Sequence, residues 1–168
     1  MFQREMFSDS FDRTAVFLGA GCSARAHRLS NGLVAKVASN DRTRNWLEYC
    51  MLAKERGELL PLMPTVHKVV DAGDLNYMAL MDEYHLYHAS GVERLSDSVD
   101  RLPEFTDVLE GFDLYIRSIN EYATVGRYVN FNDLHSGNVM FTRDRRPIIT
   151  DPSAAGYVRA TRQEFNLH

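Results

Sequence analysis

Asn132-Asp133-Leu134-His135-Ser136-Gly137-Asn138-Val139-Met140-Phe141, followed after five polar residues by Pro147-Ile148-Ile149-Thr150-Asp151, is the stretch on which the reading of this chain turns. The polar loop at 132–138 has short apolar pieces on either side, 128–131 before it and 139–141 and 147–149 after it, with lengths that suit strands. Asp133 and Asn138 stand five apart in the loop, and Asp151 follows thirteen residues after Asn138. Asp, Asn and Gly in a loop commonly do no more than turn the chain and satisfy backbone groups. The five-residue spacing recurs at Asp71 and Asn76, but there Ala89 occupies the place of the second Asp. The three groups taken together, with strand-like flanks, therefore point to a site.

Phosphoryl transfer from ATP makes modest covalent demands on a protein. It needs a carboxylate to accept or orient the nucleophile's proton, and hard oxygen ligands to hold Mg2+ against the phosphates. Asp133 is expected as the base, with Asn138 and Asp151 as metal ligands. Upstream, Leu18-Gly19-Ala20-Gly21-Cys22-Ser23-Ala24 follows an apolar run at 15–18. Gly19 and Gly21 would let the backbone approach phosphates, and Ser23 adds a hydroxyl. Lys36 lies in an otherwise apolar strand, where a charge is costly without an anionic partner; an exposed edge-strand lysine is the plainer alternative. The order of glycine loop, strand lysine, helix glutamate, then Asp133, Asn138 and Asp151 follows the logic of an ATP-binding site in which the glutamate holds the lysine on the phosphates. Glu48 is expected in that role, with Glu55 as the alternative.

The rest of the chain reads as strands followed by helix. Leu33, Ala35 and Val37 fall on one face of a strand and Val34, Lys36 and Ala38 on the other, just after an Asn31-Gly32 turn signal. Residues 42–56 read as a helix, with Trp46, Leu47, Cys50 and Met51 at helical spacing and Gly57 as its stop. Strands are expected at 65–70 and 75–81, joined by a turn at 71–74. The clearest amphipathic helix spans 105–122, through Phe105, Val108, Leu109, Phe112, Tyr115, Ile116, Ile119 and Tyr122. The expected class is α+β, with a boundary between two small lobes near 81–84.

With 168 residues, 45% of them hydrophobic and 25% charged, the chain suits one globular domain. A net charge of −4 counts against nucleic-acid binding through a broad basic surface, although Arg143, Arg145 and Arg146 cluster locally. Cys22 and Cys50 allow at most one bridge and read as reduced thiols. No segment approaches the roughly 18 apolar residues of a membrane span, and the start does not read as a signal peptide. A cytoplasmic protein without a membrane partner is the expectation.

The segment from Asp133 to Phe141, with Ile149-Thr150-Asp151-Pro152, resembles the early serine/threonine protein kinase of autographivirus-type, short-tailed bacteriophages. Leu18-Gly19-Ala20-Gly21 and Val34-Ala35-Lys36-Val37 resemble that family's N-terminal motifs. The Asp133-Leu134-His135 loop is more distantly similar to aminoglycoside and choline phosphotransferases. The resemblance is dense over 133–152 and patchy between there and residue 15. It implies a bilobal protein-kinase-like fold, here one domain with a small antiparallel-sheet N-lobe at about 12–82 and a minimal C-lobe at about 83–168. It further implies ATP and Mg2+, phosphorylation of host proteins and of itself in the host cytoplasm, and a part in subverting host processes or defence. His135 stands where eukaryotic protein kinases carry a lysine facing the transferred phosphate; a histidine bonding the loop backbone is the alternative.

Some residues depart from the wider kinase pattern. Phe131-Asn132 replace the usual His-Arg, and Pro152-Ser153 replace Phe-Gly after the metal Asp. Seventeen residues follow Asp151, so a truncated, helix-poor C-lobe is expected. Apolar surface left uncovered on the 105–122 helix would then favour a homo-oligomer. Two other functions fit the same residues: a kinase-shaped protein that inhibits a host enzyme by contact, and a small-molecule phosphotransferase.

Overall fold

A computed structural model describes residues 15–20, 24–39, 41–73, 76–86, 99–119, 134 and 138–152. Three strands open it: β1 (Val16–Ala20), β2 (Ala24–Arg28) and β3 (Val34–Ala38). The Asn31-Gly32 signal makes the β2–β3 turn. Gly32 takes φ 82°, a conformation cheap only for glycine, and the Asn31 Oδ1 accepts from the Leu33 amide at 3.0 Å. Helix α1 (Asp41–Arg56) follows, then β4 (Val66–Gly73) and β5 (Asn76–Met81). The five strands form one antiparallel sheet in the order β1-β2-β3-β5-β4, so β5 inserts between β3 and β4, and β4 takes an edge.

Helix α2 (Pro103–Ile119) and the hairpin β6 (Val139–Phe141) and β7 (Pro147–Ile149) complete the described elements. The α+β class and the antiparallel sheet match expectation. The Gly57 stop is real: at φ 72° it lets the amides of Gly57 and Glu58 return to the carbonyls of Lys54 and Ala53.

Some expectations need correcting. β2, Ala-Arg-Ala-His-Arg, is a strand of its own, although its apolar residues are only alanines. Gly19 and Ala20, expected in the glycine loop, continue β1 and pair with Ala26 and Arg25 of β2. β4 runs on through residues 71–73, which were expected to turn; its register slips between Asp71 and Gly73. Ile119, expected on the buried stripe of α2, is 52% exposed. Leu109 and Tyr115 sit at the rim of that stripe, and the core is met by Phe105, Val108, Phe112 and Ile116. Cys22, residues 128–131 and the end of the 105–122 helix lie outside the described residues.

The core lies on the sheet face that carries Val34 and Ala38. One continuous cluster joins them to Tyr77, Ala79 and Met81, to Trp46, Leu47, Cys50 and Ala53 of α1, to the α2 stripe, and to Val139 and Ile149. Removing an aromatic or aliphatic side chain of this size from water contributes about 1.5–3 kcal/mol. Burial also pushes the Cys50 thiol pKa well up, which keeps it an inert core residue. Lys36 sits between Val34 and Ala38 and points into the same space.

Candidate functional site

Two elements far apart in the chain meet at the end of the hairpin. Ile149 is clamped on both sides: its amide donates to the Leu62 carbonyl at 2.8 Å, and its carbonyl accepts from the buried Trp46 Nε1 at 2.8 Å. Leu62 takes φ 72° to present that carbonyl, a left-handed conformation that costs a residue with a Cβ about 1–2 kcal/mol. The next residues close the base of the hairpin. The amides of Thr150 and Asp151 donate to the Asn138 carbonyl at 2.8 and 3.3 Å, and the Thr150 hydroxyl donates to the same atom at 2.9 Å. Asn138 and Asp151 are thereby adjacent by backbone hydrogen bonding.

Asp151 then meets Lys36. The Lys36 Nζ lies 3.0 Å from Asp151 Oδ2 and 3.4 Å from the Thr150 carbonyl, closing 115 residues of chain. Both side chains are mostly covered, at 12% and 19% exposure, so each charge has lost most of its water and is compensated by the other. The second carboxylate oxygen, Oδ1, accepts from the hydroxyl of Thr43.

Glu48 does not join this cluster. Its carboxylate accepts from Arg44 Nε at 2.8 Å and from the Tyr115 hydroxyl. Burial, reinforced by that carboxylate, pushes the Tyr115 phenol up to about 12. Glu55, the alternative, is exposed. Helix phase accounts for this. The inward stripe of α1 is Thr43, Trp46, Leu47 and Cys50, at i, i+3, i+4 and i+7, which leaves Glu48 on a flank towards α2. Lys36 takes its carboxylate from the hairpin, and α1 contributes a hydroxyl.

Thr43 is the residue that reading the sequence passed over. A hydroxyl in phase with Trp46, Leu47 and Cys50 was the available signal, since a fully buried polar group needs a partner. Gly19 lies in β1, and a Cβ placed there would meet nothing within 4 Å, so packing does not demand a glycine. Gly21, Ser23, Asp133 and His135 lie outside the described residues. Leu134, next to Asp133, is partly buried against the core.

The donor set suits Mg2+, which favours oxygen ligands and takes one or two carboxylates with phosphate oxygens and water. Asp151 offers a carboxylate and Asn138 a carboxamide. Among the described residues no three His, Cys, Asp or Glu gather to hold a metal unaided. A separate open cleft of about 600 Å3 is lined by Arg28, Gly32, Asp82, Glu83, Tyr84, His85, Thr142 and Arg143, and shares no residue with this cluster. There the Arg28 Nε donates to both oxygens of Glu83 at 2.9 Å, and this contact holds the Glu83 carboxyl below its ordinary range.

No known protein-family model matches the chain, and no curated protein matches it. Among the described residues no helix is long and apolar enough to cross a membrane.

Proposed function

We propose that the chain is a magnesium- and ATP-dependent serine/threonine protein kinase of the phage type, acting on host proteins and on itself in the host cytoplasm. The observation that carries this reading is the Lys36–Asp151 ion pair beside Asn138. A strand lysine and a hairpin carboxylate meet from 115 residues apart, and the backbone carbonyl of Asn138 holds that residue beside Asp151, which supports a site for nucleotide phosphates and their metal. The five-stranded antiparallel sheet with α1 between β3 and β4 is the small lobe on this reading. α2 and the β6–β7 hairpin belong to the minimal C-lobe.

Mg·ATP supplies the transferable phosphoryl group and the charge that neutralises it. Lys36 binds and orients the phosphates, and Asn138 and Asp151 hold the metal. Asp133 accepts the proton of the Ser or Thr hydroxyl as the new P–O bond forms and the bond to the β-phosphate oxygen breaks. The resemblance around 133–152 supports a protein hydroxyl as acceptor.

The test is incubation with Mg2+ and γ-labelled ATP, alone and with host lysate, beside Asp133→Ala and Lys36→Ala. Label on protein that disappears in both variants is expected. No label together with no ATP-induced thermal shift would overturn the reading.

A further inference from the structure

We propose that Thr43 is a positioning residue for the Asp151 carboxylate, fixing the rotation in which that carboxylate receives a divalent cation; the inference rests on the magnesium-nucleotide reading above. Thr43 is fully buried, and its hydroxyl donates to Asp151 Oδ1 while Lys36 takes Oδ2. The two oxygens are thus held by donors from two elements, β3 and α1. The same face of α1 holds the hairpin at a second point, through Trp46 Nε1 and the Ile149 carbonyl. Residues 43 and 46 of the helix therefore fix residues 151 and 149 of the hairpin, and the carboxylate cannot turn without breaking one of these bonds.

A carboxylate oxygen has more than one lone pair, so a hydrogen bond from Thr43 leaves room for a metal on the same atom. It also removes the rotational freedom that binding would otherwise have to freeze. Supporting hydrogen bonds of this kind typically change metal affinity about 10–100-fold when removed.

Thr43→Val keeps the side-chain volume and deletes the hydroxyl. Thr43→Ser keeps the hydroxyl and deletes a methyl group. If Thr43 only filled space, Val would be the better substitute. If it positions Asp151, Ser would be.

The measurement is calorimetric titration of ATP into the full chain across a series of Mg2+ concentrations. For Thr43→Val the Mg2+ concentration that half-saturates the ATP response should rise about tenfold or more, while Thr43→Ser should stay near wild type. A Val variant with wild-type Mg2+ dependence, or a Ser variant as impaired as Val, would overturn the inference. Wild-type protein that binds ATP at no Mg2+ concentration would overturn the nucleotide reading itself, and this inference with it. Should circular dichroism show that the Val variant does not fold, Thr43→Ala beside Thr43→Ser carries the same comparison, with the same two outcomes.

Discussion

Removing the Lys36–Asp151 pair one charge at a time should reveal a strong coupling between β3 and the hairpin. Lys36→Met leaves a mostly covered carboxylate with Thr43 as its remaining donor. Asp151→Asn leaves a mostly covered ammonium against the Thr150 carbonyl. An exposed pair contributes about 0–1 kcal/mol, whereas breaking a fully buried one costs about 3–5 kcal/mol. With side-chain exposures of 12% and 19%, this pair falls between those limits. Each single substitution should then cost about 2 kcal/mol. The double substitution removes both charges and should cost well under the sum, giving a coupling of about 1.5 kcal/mol.

For a chain of this size a urea slope of about 2 kcal/mol/M turns a 2 kcal/mol loss into a fall in midpoint of about 1 M. The assay is built into the protein, because Trp46 is its sole tryptophan and is fully buried against the hairpin. Its emission should shift to the red on unfolding. Single costs that add to within about 0.4 kcal/mol would show that the two side chains do not interact in solution, and the site as described would fall.

Two other perturbations test the neighbouring structure. Because Arg28 holds the Glu83 carboxyl below its ordinary value of 4.5, the folded state binds fewer protons than the unfolded state near that pH. The stability advantage of wild type over Glu83→Gln should be full above that value and should shrink as pH falls through the lowered folded value. A gap unchanged between pH 7 and about 3 in urea titrations would contradict the Arg28 contact. On α2, a Cβ at Gly111 would collide with the Tyr49 hydroxyl and approach its Cζ to 3.3 Å, and the Tyr49 ring is held against Trp46, Phe112 and Tyr115. Gly111→Ala should therefore destabilise the wild type. In a Tyr49→Phe background it should recover much of the roughly 1 kcal/mol by which alanine outranks glycine in a helix. Equal urea midpoint shifts in both backgrounds would show that the collision is not the cause.

Local chemistry made much of this protein legible in its sequence. Asn31-Gly32 and Gly57 announce a turn and a helix stop because glycine alone takes those backbone angles cheaply. The 3.6-residue spacing of Phe105, Val108, Phe112 and Ile116 announces α2, and the apolar triplets 139–141 and 147–149 announce the hairpin. The chemical types at Lys36, Asn138 and Asp151 could also be read, since a lysine in an apolar strand asks for an anion.

What sequence could not supply was the partner of each group. Alternation in β3 separates two faces but does not say which one meets the helices, and the core formed on the face that carries the lysine. Helix phase then decided that Thr43, and not Glu48, meets Asp151. That phase is fixed by where Trp46 lodges, with its ring in the core and its Nε1 on the Ile149 carbonyl. Contacts across 108 and 115 residues leave no local trace, because their energy comes from burial that exists only once β3, α1 and the hairpin are packed together.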